Sequence, residues 1–306
     1  WTLTVKVIRT DTKRPISGSA VSIGKTGNIT VKLPDGTDLD AKHQVTVIVT
    51  DHKKAPQQGK NVTVKGDLGQ SAAGKTDKNG ELTVPEVEQT ERHGVYIVGY
   101  TDGTFGPSRS MTRSEAAAIF ARLLAEKNGD TISTAANTKF ADIPAHAWYS
   151  GYVKYLSNNG ITYGKSKTIF APNDAITRAE FTTMAVRFFD VYGDGDAEIM
   201  EQFSGFNDVS SGYWAAEYIK YAALHGWING YGDGSFHADR EINRAEVVTI
   251  VNRLLGREAD EDYIADNLRK LNTFPDVTKR HWAYYAVMEA ANAHTAVLGE
   301  NESWSK

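Results

Sequence analysis

The sequence of 306 residues contains no cysteine, which excludes disulfide bonds, thiolate metal sites and cysteine nucleophiles. It has no apolar run approaching the ~20 residues that a membrane-spanning helix needs, so we expect no membrane span. It also lacks an initial methionine and a basic, then apolar, leader. Because it begins at Trp1, we expect a processed product or a fragment of a longer protein.

A strong positive charge is absent as well. The net charge is −4, with +2 on residues 1–91 and −6 on the remainder. Since nucleic-acid binding depends on a basic surface, neither part fits a nucleic-acid partner. The hydrophobic fraction of 41% and the charged fraction of 24% are ordinary for a globular protein and argue against extensive disorder.

Residues 1–90 are predicted to form an all-β antiparallel sandwich of the Ig-like or prealbumin-like kind. The runs "LTVKVI", "VTVIVT" and "NVTVKG" alternate with period two and are rich in β-branched residues, and turn-rich segments separate them. The segments "TDTKRPISGSAVSI" and "GKTDKNGELTVP" resemble prealbumin-like, or carboxypeptidase-regulatory-type, β-sandwich modules. This domain is a candidate contact surface for a protein partner.

From residue 91 to residue 306 the sequence is predicted to be helical, and it repeats three times. Four landmarks recur in register at spacings of 65 and 66 residues between the arginines. We predict repeats at about 94–160, 161–226 and 227–297, followed by a short C-terminal tail. The landmarks are Phe105, Phe170 and Phe236; Arg113, Arg178 and Arg244; Asp142, Asp208 and Asp276; and Trp148, Trp214 and Trp282.

Each arginine lies inside a predicted helix start such as "ITRAEF". A threonine or asparagine followed three residues later by glutamate is the capping-box pattern, so these residues are predicted to be structural caps. The arginine between them opposes the helix dipole, which suggests either an anionic ligand or a carboxylate of the neighbouring repeat. The predicted cap pairs are Thr112 and Glu115, Thr177 and Glu180, and Asn243 and Glu246.

The tryptophans and aspartates have two interpretations each. A tryptophan near a helix start can pack in the core, or bury one face and offer the other to a sugar. The aspartates can cap loops, or accept hydrogen bonds from sugar hydroxyls.

The pattern F-x-D-[VI] leading to W, then G-Y-x-D-G-x-F, then [IM]-[TN]-R-[AS]-E, resembles the S-layer homology module of bacterial cell-envelope proteins. The resemblance covers about 94–297 and implies an all-α, pseudo-three-fold domain. It also implies an extracellular protein, associated with the cell wall or S-layer, and non-covalent binding of secondary cell-wall polysaccharide, typically through a pyruvylated amino sugar, in grooves between repeats. No cofactor and no metal are implied.

Carried over by motif position, the resemblance assigns ligand binding to the tryptophans and to the loop residues Gly99, Tyr100, Gly230 and Tyr231, and it implies that the arginines pair with the pyruvate carboxylate or hold the shape of the groove. The aspartates are further candidate ligand-binding residues, through sugar hydroxyls. The middle loop reads "GKSKTIF" at 164–170 and lacks that tyrosine, aspartate and second glycine. We therefore expect Arg113→Ala and Arg244→Ala to weaken binding more than Arg178→Ala. Because of the helix dipole, we expect these substitutions to leave the melting temperature unchanged or to raise it.

Other functions fit less well. The acidic segment 190–201 approaches an EF-hand loop, but Tyr192 occupies a ligand position, so we expect no calcium site. No catalytic residue is predicted, because the recurrent acids have capping explanations and a glycosidase needs a carboxylate pair facing a cleft. The alternative to glycan anchoring is a structural lattice or adhesion protein that acts through protein–protein contacts.

Overall fold

The computed structural model describes residues 3–9, 14–24, 27–34, 45–65, 71–83, 89–133, 135–192, 203, 205–298 and 303–305. The chain divides into two compact units. The first comprises Trp1–Glu91 with Val297–Asn301, and the second comprises Arg92–Ala296 with Glu302–Lys306. Of the acidic segment considered for calcium, residues 193–201 lie outside the described part.

The first unit contains two β-sheets. One sheet has the strand order β1–β4–β7 and the other has the order β2–β3–β5–β6. Buried and more exposed side chains alternate along β3 and β5. Across the strands, Val7 pairs with Val47 and Val31 pairs with Val64. The strands are β1 (Leu3–Arg9), β2 (Ala20–Ile23), β3 (Ile29–Lys32), β4 (Val45–Asp51), β5 (Asn61–Lys65), β6 (Ser71–Lys75) and β7 (Glu81–Thr83).

The buried valines of both sheets belong to one hydrophobic cluster. Val47 and Val49 come from β4, and Val62 and Val64 from β5. Most of the strand pairs are antiparallel, as predicted, but β3 and β5 run parallel. The sequence prediction of a wholly antiparallel arrangement is therefore wrong at this pair, because alternating β-branched runs do not encode strand direction.

The second unit is mainly helical. Short strands β8 (Gln89–His93), β9 (His294–Leu298) and β10 (Ser303–Ser305) form a third sheet in the order β10–β9–β8, so the predicted all-α part and its tail also contain strands. No described helix is long and apolar enough to cross a membrane. The helices are α1 (Arg113–Asn128), α2 (Ser150–Asn158), α3 (Arg178–Tyr192), α4 (Ala216–Leu224), α5 (Arg244–Leu255), α6 (Glu261–Asn267), a 3₁₀ turn (Leu268–Lys270) and α7 (Tyr284–Ala291).

The starts of α1, α3 and α5 meet at one place in the core. The backbone N–H of Met111 donates to the carbonyl of Ile242 (3.0 Å), that of Ile242 to Ile176 (3.0 Å), and that of Ile176 to Met111 (2.9 Å). These three side chains are fully buried. The hydrogen bonds thus close a ring that holds the three long helices of the repeats together.

Candidate functional site

The first turn of each long helix carries reciprocal capping hydrogen bonds. In α1 the N–H of Glu115 donates to Thr112 Oγ1 (3.2 Å), and the N–H of Thr112 donates to Glu115 Oε2 (2.8 Å). These bonds satisfy backbone donors that a helix start leaves open. The same pair of bonds occurs at Thr177 with Glu180 and at Asn243 with Glu246.

The arginine that begins each long helix is buried, with 4–5% of its surface exposed. Its Nε donates at 2.8 Å to the carbonyl of the phenylalanine that precedes the next long helix, in cyclic order. The ranking of the arginines in the sequence analysis linked Arg178 to the middle loop, whereas the fold brings each helix start against the following loop. The bonds join Arg113 to Phe170, Arg178 to Phe236, and Arg244 to Phe105.

Carboxylates of the neighbouring repeat also face these guanidinium groups. Arg113 Nη1 lies 3.1 Å from Glu180 Oε1, and Arg178 Nη1 lies 3.0 Å from Glu246 Oε1. Burial lowers the pKa of Arg178, and the charge of Glu246 partly opposes that shift. The capping glutamates thus have a second role: each closes a helix start, and Glu180 and Glu246 also pair with an arginine of the preceding repeat.

The three landmark aspartates hold the loops in place. Asp208 accepts hydrogen bonds from the N–H groups of Phe236 and His237, both at 2.7 Å. Burial raises the pKa of Asp208, but these two N–H donors outweigh it, and the net shift is downward. His237 has a φ of 55°, a left-handed conformation that costs free energy, and the clamp fixes it. In the same way, Asp142 accepts hydrogen bonds from the backbone N–H groups of Phe170 and Ala171. Asp276 accepts them from the backbone N–H groups of Phe105 and Gly106.

The landmark tryptophans are exposed rather than in the core. The exposed fractions are 51% for Trp148, 56% for Trp214 and 65% for Trp282. Because these indole rings are not buried in the core, each can offer a face to a ligand.

Two of the tryptophans border grooves that have matching linings. The Tyr100 groove, a cavity of about 230 Å³, is lined by Trp148, Arg244, Glu115, Arg122 and the loop Gly99–Tyr100. Arg244 Nη2 also donates to the Val98 carbonyl (2.6 Å) in this groove. Burial lowers the pKa of Arg244.

The Tyr231 groove, a cavity of about 260 Å³, has the same composition. It is lined by Trp282, Arg178, Glu246, Arg253 and the loop Gly230–Tyr231. The arginine guanidinium lies over the tyrosine ring in both grooves, 5.2 Å from its centroid for Arg178 and 4.7 Å for Arg244. Each of these lining positions in one groove therefore has a counterpart in the other.

The family profile described as S-layer homology domain matches residues 83–117, 139–182 and 205–248. The chain carries three S-layer homology repeats. The chain is 34% identical over 218 residues to cell surface glycoprotein 1 of Acetivibrio thermocellus, covering 69% of this chain and 9% of that protein. It is 30% identical over 233 residues to a cellulosome-anchoring protein of the same organism, covering 76% of this chain and 49% of that protein.

An S-layer protein of Bacillus licheniformis is similar as well, with 29% identity over 155 residues, 51% of this chain and 17% of that protein. The matched region thus spans about half the length of these relatives or less.

The third S-layer homology interface, around Lys165, is built differently. Arg113 reaches this loop, but the tyrosine of the other two grooves is replaced by Lys165, which pairs with Asp174 (2.9 Å). The arginine ranking expected from the sequence therefore needs revision, since Arg178 and Arg244 lie at the grooves with glycine–tyrosine loops and Arg113 lies at the divergent one.

The sequence analysis did not identify a further arginine that recurs on each long helix. Arg122, Arg187 and Arg253 each follow the landmark arginine by nine residues, and this spacing was the available signal. Arg122 and Arg253 line the two grooves. Arg187 instead donates to the hydroxyl of Tyr218 (3.1 Å) and lies over the Tyr163 ring. At the third interface this cation is thus engaged by two tyrosines.

Proposed function

We propose that the S-layer homology repeats bind an anionic polysaccharide of the bacterial cell wall and thereby anchor a surface protein non-covalently. The repeats and the relatives indicate a location at the cell wall. The observation that carries the proposal is the paired grooves, each with an exposed indole beside two arginines and one carboxylate. An excess of cationic groups suits an acidic sugar, and an indole face suits the apolar face of a sugar ring.

The grooves favour one sugar residue over a larger ligand. Their volumes of about 230 and 260 Å³ lie below the roughly 300–1,000 Å³ typical of drug-sized ligands. A pyruvylated amino sugar, as the family resemblance implies, carries one carboxylate for Arg122 or Arg253 and a ring for the indole. Arg178 and Arg244 hold the loop and the neighbouring glutamate, and so set the shape of the groove.

The architecture proposed with this function has two further parts. We infer a pseudo-three-fold arrangement of the repeats at about 94–160, 161–226 and 227–297, supported by the closed ring of hydrogen bonds between the helix starts. We also infer a β-sandwich in residues 1–90, supported by the single cluster of valines from both sheets. Neither part is assigned a catalytic role.

Sedimentation with purified cell wall tests this proposal. We expect the chain to bind native wall and to lose binding once the secondary polymer is removed chemically. In calorimetry with a short polymer fragment, Trp148→Ala should weaken binding at the Tyr100 groove about tenfold, for a ring contact of about 1.4 kcal/mol. Trp214→Ala, which removes a similarly exposed indole that lines neither groove, is the matched control and should change nothing.

Retention on stripped wall equal to that on native wall would contradict the proposal. It would favour the alternative, a lattice or adhesion protein that acts through protein–protein contacts.

A further inference from the structure

A buried cluster of two histidines and a glutamate lies in the second unit, and its residues line neither groove. His93 ends β8, Glu289 belongs to α7, and His294 begins β9. Their exposed fractions are 3%, 1% and 7%. Among the residues that the structure describes, this is the group of three whose ligand atoms lie close enough together for one metal ion, all within 4.8 Å of one another.

The distances suit shared coordination. His93 Nδ1 lies 3.3 Å from Glu289 Oε1, and His294 Nε2 lies 3.3 Å from Glu289 Oε2. Charge-assisted hydrogen bonds between such groups are shorter, at about 2.7–2.9 Å. Two ligands on a tetrahedral zinc ion, each at about 2.0–2.2 Å, are separated by about 3.3–3.5 Å.

The tautomer of His294 also suits metal binding. Its Nδ1 lies 3.0 Å from the carbonyl of Asn292, which can only accept, so Nδ1 carries the proton. In the neutral ring the Nε2 lone pair then faces the carboxylate of Glu289. A backbone carbonyl on the second ring nitrogen is the partner that metal-binding histidines commonly have.

The cluster is enclosed on the side of His294, where the indole of Trp304 stacks on the imidazole with 3.8 Å between ring centroids.

We propose that His93, Glu289 and His294 bind one divalent transition-metal ion, with zinc the best fit. Two imidazoles and one carboxylate favour zinc over calcium or magnesium, which prefer oxygen ligands. The ion would join β8, at the start of the second unit, to α7 and β9 at its end. Because the first and last segments of the repeat region are far apart in sequence, such a link would stabilise the closed arrangement of the repeats.

The test uses the untagged full chain after removal of metals with a chelator. We expect about one equivalent of Co²⁺ to bind, with visible absorption bands of low coordination, and Zn²⁺ to displace it. Zinc at about a hundredfold excess over its Kd should raise the melting temperature by about 5–10 °C. Glu289→Gln and His294→Gln should weaken binding by more than about 100-fold, because even the outer partners of ligands are worth 10–100-fold.

His146→Gln, which alters an exposed histidine of the same unit, is the matched control and should bind like the unsubstituted chain. If the cluster variants fail to fold, the zinc stoichiometry and the zinc-dependent melting temperature of the unsubstituted chain decide. Absence of tight Co²⁺ or Zn²⁺ binding, or equal binding by Glu289→Gln, would overturn the proposal. So would a stability that responds to pH alone, which would indicate a triad of ionised side chains without metal.

Discussion

At the residue scale, the arginine that begins each long helix has an electrostatic cost and a larger compensation. A cation at a helix N-terminus is unfavourable by about 0.3–1 kcal/mol. Arg113, however, is buried, donates to the Phe170 carbonyl and pairs with Glu180. Removing one partner of a buried pair leaves the other uncompensated, which costs more than the dipole term. The helix dipole alone predicts an unchanged or raised melting temperature for the arginine substitutions. We therefore revise that prediction for Arg113.

Arg113→Ala is predicted to destabilise the second unit by about 3 kcal/mol. This corresponds to a fall in melting temperature of about 6–12 °C for a unit of this size. Arg269→Ala is the control, because it removes the same charge from an exposed position and should stay within about 0.5 kcal/mol. Calorimetric melting of the two variants checks the prediction. An unchanged or raised melting temperature for Arg113→Ala would restore the dipole argument.

At the element scale, the glycine loops owe their sequence to packing as well as to ligand access. A Cβ on Gly230 would lie 2.5 Å from the Phe206 ring and 2.7 Å from the Ser235 carbonyl oxygen. Neither approach is possible for a real side chain. The sequence analysis assigned this glycine to ligand binding alone. It could not predict the packing, because Phe206 comes from a segment more than twenty residues earlier.

Two glycines of this loop give a matched pair for testing. Gly230→Ala should destabilise the second unit by about 1–3 kcal/mol, because the loop must shift away from Phe206. Gly232→Ala adds a methyl group where nothing lies within 4 Å and should be nearly neutral. Urea unfolding of both variants measures the difference. Equal stability of the two would mean that the loop adapts without strain.

The sequence could predict interactions between neighbours in the chain, but not contacts between distant segments. The helix starts at Arg113, Arg178 and Arg244 depend on neighbours in the chain, so their capping pattern sufficed. The partner of each arginine depends on which loop lies beside the helix, and repeat spacing does not contain that information. The parallel pair β3–β5 and the His93–Glu289–His294 cluster escaped for the same reason, because each joins distant segments.

At the scale of the whole molecule, two matching grooves on one repeat region would make the proposed binding to a long polymer multivalent. Once one groove holds the chain, the second binds at the effective concentration that the linkage sets. Such avidity can exceed single-site affinity by about 10²–10⁴. Retention on intact wall should therefore respond weakly to the loss of one groove and strongly to the loss of both, whereas a short fragment should report each groove separately.

Trp148→Ala and Trp282→Ala remove the indole from the Tyr100 and Tyr231 grooves respectively. Calorimetry with a short polymer fragment should give about two sites per chain for the unsubstituted protein, and one undiminished site in each single variant. The double variant should lose retention on intact wall, while each single variant stays bound because the other groove holds it. Trp214→Ala, alone or added to either single variant, should have no further effect if the Lys165 interface does not bind. Three sites in the fragment titration would show instead that this interface is competent, and loss of wall retention in one single variant would show that one groove does all the binding.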